Sequence, residues 1–313
     1  MIRFRSMLIG IALLLAATPV SSQTTPHDKI VVAFPPVDPT AEVLYAYDLG
    51  MFDKAGIDVT LQPLGNGGAI TSGVAGGSID IGVGNVITIE TAHKKGVPIT
   101  VIAPGAYNVD SAPSNVLIVS KNSPLKTAKD LNGKIVATSP LLGIGQVLTD
   151  AWMDKNGGDS STVKYIEVPF PDAEGIVTSG RADASLSVEP FITMAKADTR
   201  VFANVFDALG NGYLITSYFA SSSWAQAHPG LVERFAKVIR DAGAWANANP
   251  DKSAEILAKY GKLDPAMVKQ TIRARYSTTL TPAQLQPTID ASAKYKVFDG
   301  AFPASELIFQ APK

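Results

Sequence analysis

From Lys29 onward the sequence alternates short β-rich stretches with helix-like ones, and this limits the chain to an α/β architecture with substantial parallel sheet. Lys29 to Phe34 is β-rich and stops at Pro35 and Pro36, which cannot continue a ladder. Thr40 offers an N-cap for a helix over 41–49, with Glu42 in its favourable first turn. Strands are then expected at 57–61, 79–81 and 99–103, with helices at 69–75 and 86–95 between them. Near Ser114 the pattern restarts. Residues 115–120 read as a strand and 127–133 as a short helical bridge, followed by strand 134–138, helix 144–155, strand 163–168, helix 173–179 and strand 182–187. A short helix follows Pro190, Tyr213 to Ala220 reads as a strand, and the rest is almost entirely helical: 229–247, 252–259, 265–274 and 282–295. Several of these helices begin at proline, whose missing N–H costs nothing in a first turn.

The two halves echo each other. Gly77, Ser78, Ile79 and Asp80 resemble Gly180, Arg181, Ala182 and Asp183, each set lying between a helical stretch and a short apolar strand. The glycine suits the left-handed residue that ends a helix, and the aspartate can cap the turn into the strand.

The N-terminus carries a different signal. Arg3 and Arg5 precede the apolar run Met7 to Ala17, then come Pro19 and small residues at Val20 and Ser22. This is the pattern of an export signal, with cleavage expected near Ser22, so residues 1–22 stand outside the fold. The run falls short of the ~20 residues that span a bilayer. No second long apolar run follows, so a soluble, exported product is expected.

Composition then removes whole classes of chemistry. The 313 residues include no cysteine, so lipid tethering through cysteine, thiol catalysis and disulfides are all excluded. About 290 mature residues exceed one typical core, and two lobes are the default. Without Arg3 and Arg5, 25 basic side chains face 28 acidic ones, a formal charge of −3 with no basic run. A nucleic-acid surface is not indicated. The three histidines, His27, His93 and His228, share no metal-ligand spacing. There is no nucleophile elbow and no P-loop. The stretch Leu142, Gly143, Ile144, Gly145 imitates a dinucleotide fingerprint, but Leu148 holds the third glycine position. No cofactor is expected.

What remains are four loops of small residues, 35–40, 65–69, 84–88 and 139–145, each leading from a strand into a helix start. In open α/β sheets such loops line the ligand crevice, and the free N–H groups of helix starts can hold a polar or anionic group.

Segments in both halves of the chain carry a resemblance. Residues 130–137 (Asp130, Leu131, Asn132, Gly133, Lys134 and onward) are followed by 180–184 and by Glu189, Pro190 and Phe191. In the first half, Leu49 and Gly50 lead through Gly56 to the Gly77–Asp80 turn. The chain resembles, over roughly Ile30 to Phe298, the substrate-binding proteins of ABC importers for nitrate, taurine, alkanesulfonates and thiamine-type pyrimidines. The resemblance is specific for the family and silent on the ligand.

The resemblance implies a two-lobed periplasmic binding protein of type II, with ligand held between lobes that close by hinge motion. Its crossing strands would be 115–120 and 213–220. Lobe 1 would combine 29–115 with 217–313, and lobe 2 would be 116–216. By position, the site would involve Pro35, Val37, Asn66, Gly67, Asn85, Val86, Ser139, Leu142, Gly143 and Glu189, with Tyr107 and Tyr218 as aromatic wall. Partners would be a small molecule and an inner-membrane permease with its ATPase, the protein itself a monomer. Glu189 has two readings: it accepts hydrogen bonds from a nitrogen-bearing ligand, or it ends a strand and caps a neighbouring helix. None of the four loops carries Lys or Arg, which favours a neutral or nitrogen-bearing solute over a sulfonate or nitrate. Two alternatives belong to other classes. One is a ligand sensor without transport. The other is a pyrimidine-forming enzyme, whose cysteine-rich motif this chain lacks.

Overall fold

The structure, a computed structural model, describes residues 27–312. The export signal over 1–22 lies outside the described residues. The chain runs β1 (Asp28–Phe34), α1 (Glu42–Asp48), α2 (Met51–Lys54), β2 (Ile57–Pro63), α3 (Gly67–Ala75), β3 (Ile81–Asn85), α4 (Val86–Lys94) and β4 (Ile99–Pro104). After the short β5 (Ala106–Tyr107) come β6 (Asn115–Ser120), β7 (Ile135–Thr138), α5 (Ile144–Lys155), β8 (Lys164–Glu167), α6 (Ala173–Thr178), β9 (Ala184–Val188), α7 (Phe191–Met194) and β10 (Thr199–Ala203). It returns through β11 (Thr216–Ser221) into α8 (Ser222–Ala227), α9 (Pro229–Ala248), α10 (Pro250–Gly261), α11 (Pro265–Val268), β12 (Arg275–Tyr276) and α12 (Pro282–Lys294).

The strands form two five-stranded sheets with one topology. The first has the order β2-β1-β3-β11-β4 and the second β8-β7-β9-β6-β10. In each, three strands are parallel and the fourth and fifth alternate in direction. β4 at the edge of the first sheet and β9 at the centre of the second are buried at every residue, as strands covered on both faces must be.

The Gly–Asp echo is a structural repeat. Gly77 and Gly180 both take positive φ, 76° and 72°. Asp80 accepts a hydrogen bond from the Val31 N–H at 2.7 Å, while its own N–H goes to the Val31 carbonyl. Asp183 does the same with Ile135, at 2.9 Å. The aspartate therefore fixes the neighbouring parallel strand as well as the turn into its own.

The crossings between the sheets are loops, not the strands expected there. β6 belongs wholly to the second sheet, and β11, beginning at Thr216 instead of Tyr213, belongs to the first. Asn108 ties the two crossing segments together. Its amide nitrogen donates to the carbonyls of Phe206 and Gly210 at 3.1 and 2.7 Å, and its N–H donates to Tyr213. The C-terminal helices cover both sheets unequally. α9 buries Leu231, Phe235, Val238, Ile239 and Ala242, one stripe of a 3.6-residue period, against α1 and β4. α12 spans the lobes: Thr288 bonds Glu90 of α4, and the Tyr295 hydroxyl bonds Asp154 of α5.

Two sequence expectations fail locally. The helix expected over 265–274 ends at Val268, because the N–H groups of Ile272 and Ala274 go to the Glu189 and Asp38 carboxylates rather than to carbonyls one turn back. A strand appears at Thr199–Ala203 where none was expected, as the antiparallel edge partner of β6.

Candidate functional site

One cleft gathers the ends of six parallel strands from both sheets. Pro35 and Val37 follow β1, Gly65 and Gly67 follow β2, and Gly84 and Asn85 end β3; Ser139 and Pro140 follow β7, Phe170 follows β8, and Leu186 and Val188 end β9. Carboxyl ends of parallel strands are where open α/β sheets present their crevice, because loops there diverge to opposite helices. The cavity, its open mouth included, encloses about 630 Å³. Its remaining lining is Pro39, Thr40, Asn115, Ile144, Ile215 and Thr216.

The lining is mostly apolar, and no charged side chain belongs to it. Its polar groups are largely committed. The Thr216 hydroxyl donates to the Pro39 carbonyl and accepts from the Ala106 N–H, both at 2.8 Å. Asn85 caps α4, accepting the Thr88 N–H and donating to its hydroxyl, each at 2.9 Å. Asn66 caps α3 in the same way through the Ala69 N–H. At the start of α5 the Leu142 N–H is taken by the Gln146 side chain at 2.9 Å.

Behind the Pro35–Thr40 wall lies a buried charge pair. Asp38 is fully buried, 2.7 Å from the Arg273 guanidinium. It also accepts from the Ala274 N–H at 2.7 Å and from the Tyr276 hydroxyl at 3.1 Å. Burial pulls the Arg273 pKa down, but Asp38 and the neighbouring tyrosines outweigh it and hold the guanidinium firmly charged. The pair is neutral as a unit and sets the loop's position.

The expected site residues divide into three groups. Pro35, Val37, Gly67, Asn85 and Ser139 line the cavity. Asn66 and Gly143 are N-caps next to it, and Leu142 stands exposed on the rim with φ 57°. Val86, Tyr107, Tyr218 and Glu189 do not line it. Val86 is buried in the core, and its N–H is spent on the Ile215 carbonyl. Tyr107 pairs with Arg275 in the small β5–β12 ribbon. Tyr218 lies on the same strand as Thr216 but deep in the first lobe, its hydroxyl on Glu42 and the Val43 N–H.

Of the two readings of Glu189, the geometry matches the capping one. Its carboxylate accepts the Thr193 N–H at 3.1 Å, the Thr193 hydroxyl at 2.9 Å and the Ile272 N–H at 3.3 Å, and its carbonyl accepts the Asp38 N–H. Burial raises its pKa, opposed by the Thr193 and Ile272 bonds. Sequence reasoning missed Asn115, Phe170, Leu186, Val188, Ile215 and Thr216. Phe170 was findable as the loop after a parallel strand. Leu186 and Val188 lie on β9, and Asn115, Ile215 and Thr216 lie at the starts of β6 and β11, where only the three-dimensional return of the chain brings them to the cleft.

None of the histidines reaches the cavity. His27 sits 3.6 Å from Asp53, His93 stacks on Phe302, and His228 stacks on Trp224. Among the described residues no cluster of acidic or histidine side chains could hold a metal ion, and no helix is long and apolar enough to cross a membrane.

Comparison with known proteins agrees with this architecture. A Bacillus subtilis (strain 168) protein named for aliphatic sulfonate binding is 22% identical over 268 residues, 82% of this chain and 78% of its own length. A Brucella abortus (strain 2308) protein named as a binding protein is 24% identical over 261 residues, covering 79% and 75%. Among solved structures, the alkanesulfonate-binding protein of Xanthomonas axonopodis pv. citri bound to MOPS superposes with a TM-score of 0.77 at 18% identity, covering 92% of this chain and all of that one. The periplasmic nitrate-binding protein of Synechocystis superposes at 0.73 with 14% identity, covering 90% and 84%. These likenesses establish the periplasmic binding protein fold, and a match of residues 39–253 to the NMT1/THI5-like family model shows that the chain belongs to that family.

Proposed function

We propose that this chain is exported, folds in the periplasm, and reversibly binds a small organic solute between two lobes for delivery to the permease of an ABC importer. The observation that carries this reading is the cleft assembled from strand ends of both sheets, apolar in most of its lining and free of charged side chains. Such a cavity desolvates a compact ligand and orients it with few polar groups, which suits a binding site. Relatives named for solute binding support the same reading. Relatives named as binding proteins support reversible binding without turnover as its task.

The lobes in this proposal are 29–115 with 217–313, and 116–216, acting as a monomer that closes around the solute. The closed, loaded form presents the surface that the permease recognises, and the permease works with its ATPase in the inner membrane. The leader over residues 1–22 is removed near Ser22.

Native mass spectrometry of protein purified from the periplasm without denaturation tests this. A retained small organic mass is the expected result, together with a rise in Tm when that solute is returned to stripped protein. A clean apo mass combined with no Tm shift across sulfonates, inorganic anions, pyrimidines and neutral aromatics would overturn the receptor reading.

A further inference from the structure

Asn115 opens β6 at the point where the chain enters the second sheet, and its carboxamide, like the Ser139 hydroxyl, is a polar group of the cavity lining that the protein leaves largely free. It pairs with Val188 across the sheet. Paired residues share a face, and Val188 and Leu186 line the cleft, so Asn115 faces it too. The residue is 7% exposed. Its single hydrogen bond among the described residues runs from the amide nitrogen to the Ser114 hydroxyl, at 3.1 Å. The carboxamide oxygen accepts nothing from the protein. Elsewhere in the lining, Val37, Ile144, Phe170, Leu186 and Val188 offer no polar side-chain atom.

We infer that Asn115 reads the ligand, and that the ligand is an uncharged, compact, largely apolar molecule bearing an amide-type edge. This rests on the solute-receptor reading and names its substrate class. A carboxamide presents a donor and an acceptor side by side, and an amide edge answers both. Leaving such a buried amide unmatched is costly, which is why it discriminates.

The charge argument points the same way. An anion would enter a cavity without any Lys or Arg in its lining. Arg273, the nearest guanidinium behind the wall, is already paired with Asp38. Two of the three helix starts at the cleft, those of α3 and α4, have an N–H taken by a side-chain oxygen, from Asn66 and Asn85; α5 has no side-chain cap, and Gln146 takes the Leu142 N–H just before it. A buried ion without a partner is far more costly than a buried amide.

The test uses stripped, full-length mature protein and ligands matched in shape: benzamide, benzoate, benzenesulfonate and toluene, and the corresponding butyl series. Calorimetry is expected to rank the amide at least tenfold above the anions and above the hydrocarbon. In Asn115→Leu, which keeps the volume and removes the polar edge, the amide should lose at least tenfold while toluene is unchanged or tighter. The unliganded Tm of that variant reports folding separately, and Asn115→Gln should restore part of the amide preference if Leu destabilises the chain. Preference for benzoate or benzenesulfonate would overturn the inference and leave the receptor reading standing. Equal losses for amide and hydrocarbon in Asn115→Leu would also overturn it, assigning Asn115 a packing role.

Discussion

The two sheets share strand order, strand direction and the Asp80/Asp183 clasp, yet they part company where the third strand of each sheet ends. β3 ends at Asn85, whose amide caps α4 and lines the cleft. After β9 stands Glu189, whose carboxylate turns away to hold Thr193 and, across to the C-terminal segment, Ile272. The lobes differ again in their interiors. The first holds the buried Asp38–Arg273 pair; the second has Lys134–Asp183 at its Gly–Asp turn, and that pair is partly exposed. The repeated geometry serves the scaffold, and the divergent residues decide which lobe anchors the loops and which supplies polar wall.

The difference can be broken most sharply at Asp38. Asp38→Ala leaves the Arg273 charge buried without its partner and should cost about 3–5 kcal/mol in urea unfolding. Lys134→Ala, at the exposed pair, should cost less than ~1 kcal/mol. A similar cost for both would mean that the buried pair contributes nothing special to the first lobe.

Each lobe also carries a buried acid on a cleft-side helix, with different titration windows. Burial raises Glu90 of α4 from 4.5 to about 8, against the opposing Thr288 bond. Burial raises Asp150 of α5 from 3.8 to about 6, against the Tyr165 bond. For both, the folded state holds its proton more tightly than the unfolded one. Their contribution is therefore full below the unfolded pKa and is lost as pH rises through the folded one. Stability should fall between pH 3.8 and about 6 through the second lobe, and between 4.5 and about 8 through the first. Glu90→Gln should flatten the pH 6–8 slope and Asp150→Asn the lower one. If Glu90→Gln leaves the upper slope unchanged, Glu90 is not its source.

The repeat itself is tested by Asp80→Ala and Asp183→Ala. Each frees a strand N–H, and each should cost about 1–3 kcal/mol. In separate sheets the costs should add within ~0.5 kcal/mol. A larger coupling would mean that the lobes do not fold as separable units.

The scaffold was readable because its signals are local. The Gly–Asp turns, the proline helix starts and the alternation of apolar runs with helical ones are all contained within a few residues. Helix α5 was placed at its observed ends, Ile144 and Lys155. The cleft was readable where it consists of strand-to-helix loops, and five of the twelve expected residues line it. It was not readable at Asn115, Leu186 or Thr216, which come into place through antiparallel pairing between residues about 70 to 130 positions apart. Tyr218 failed for the opposite reason. Proximity to a crossing says nothing about which depth of the sheet a side chain occupies, and this one reaches Glu42 in the core.

The smallest expected effect is the most informative about the divergence. Glu189→Gln keeps one carbonyl oxygen for Thr193 but turns an NH₂ toward one of the remaining donors, so stability should drop by about 1 kcal/mol. Solute affinity should stay within about twofold, since the carboxylate does not line the cavity. Asn85→Asp should behave inversely. Its Oδ1 still accepts the Thr88 N–H, so the cap survives, but a carboxylate now lines an uncharged cavity and a neutral solute should weaken roughly tenfold, about 1.4 kcal/mol. If both variants moved affinity alike, the strand ends would face the ligand in both lobes, and the asymmetry drawn between them would be lost.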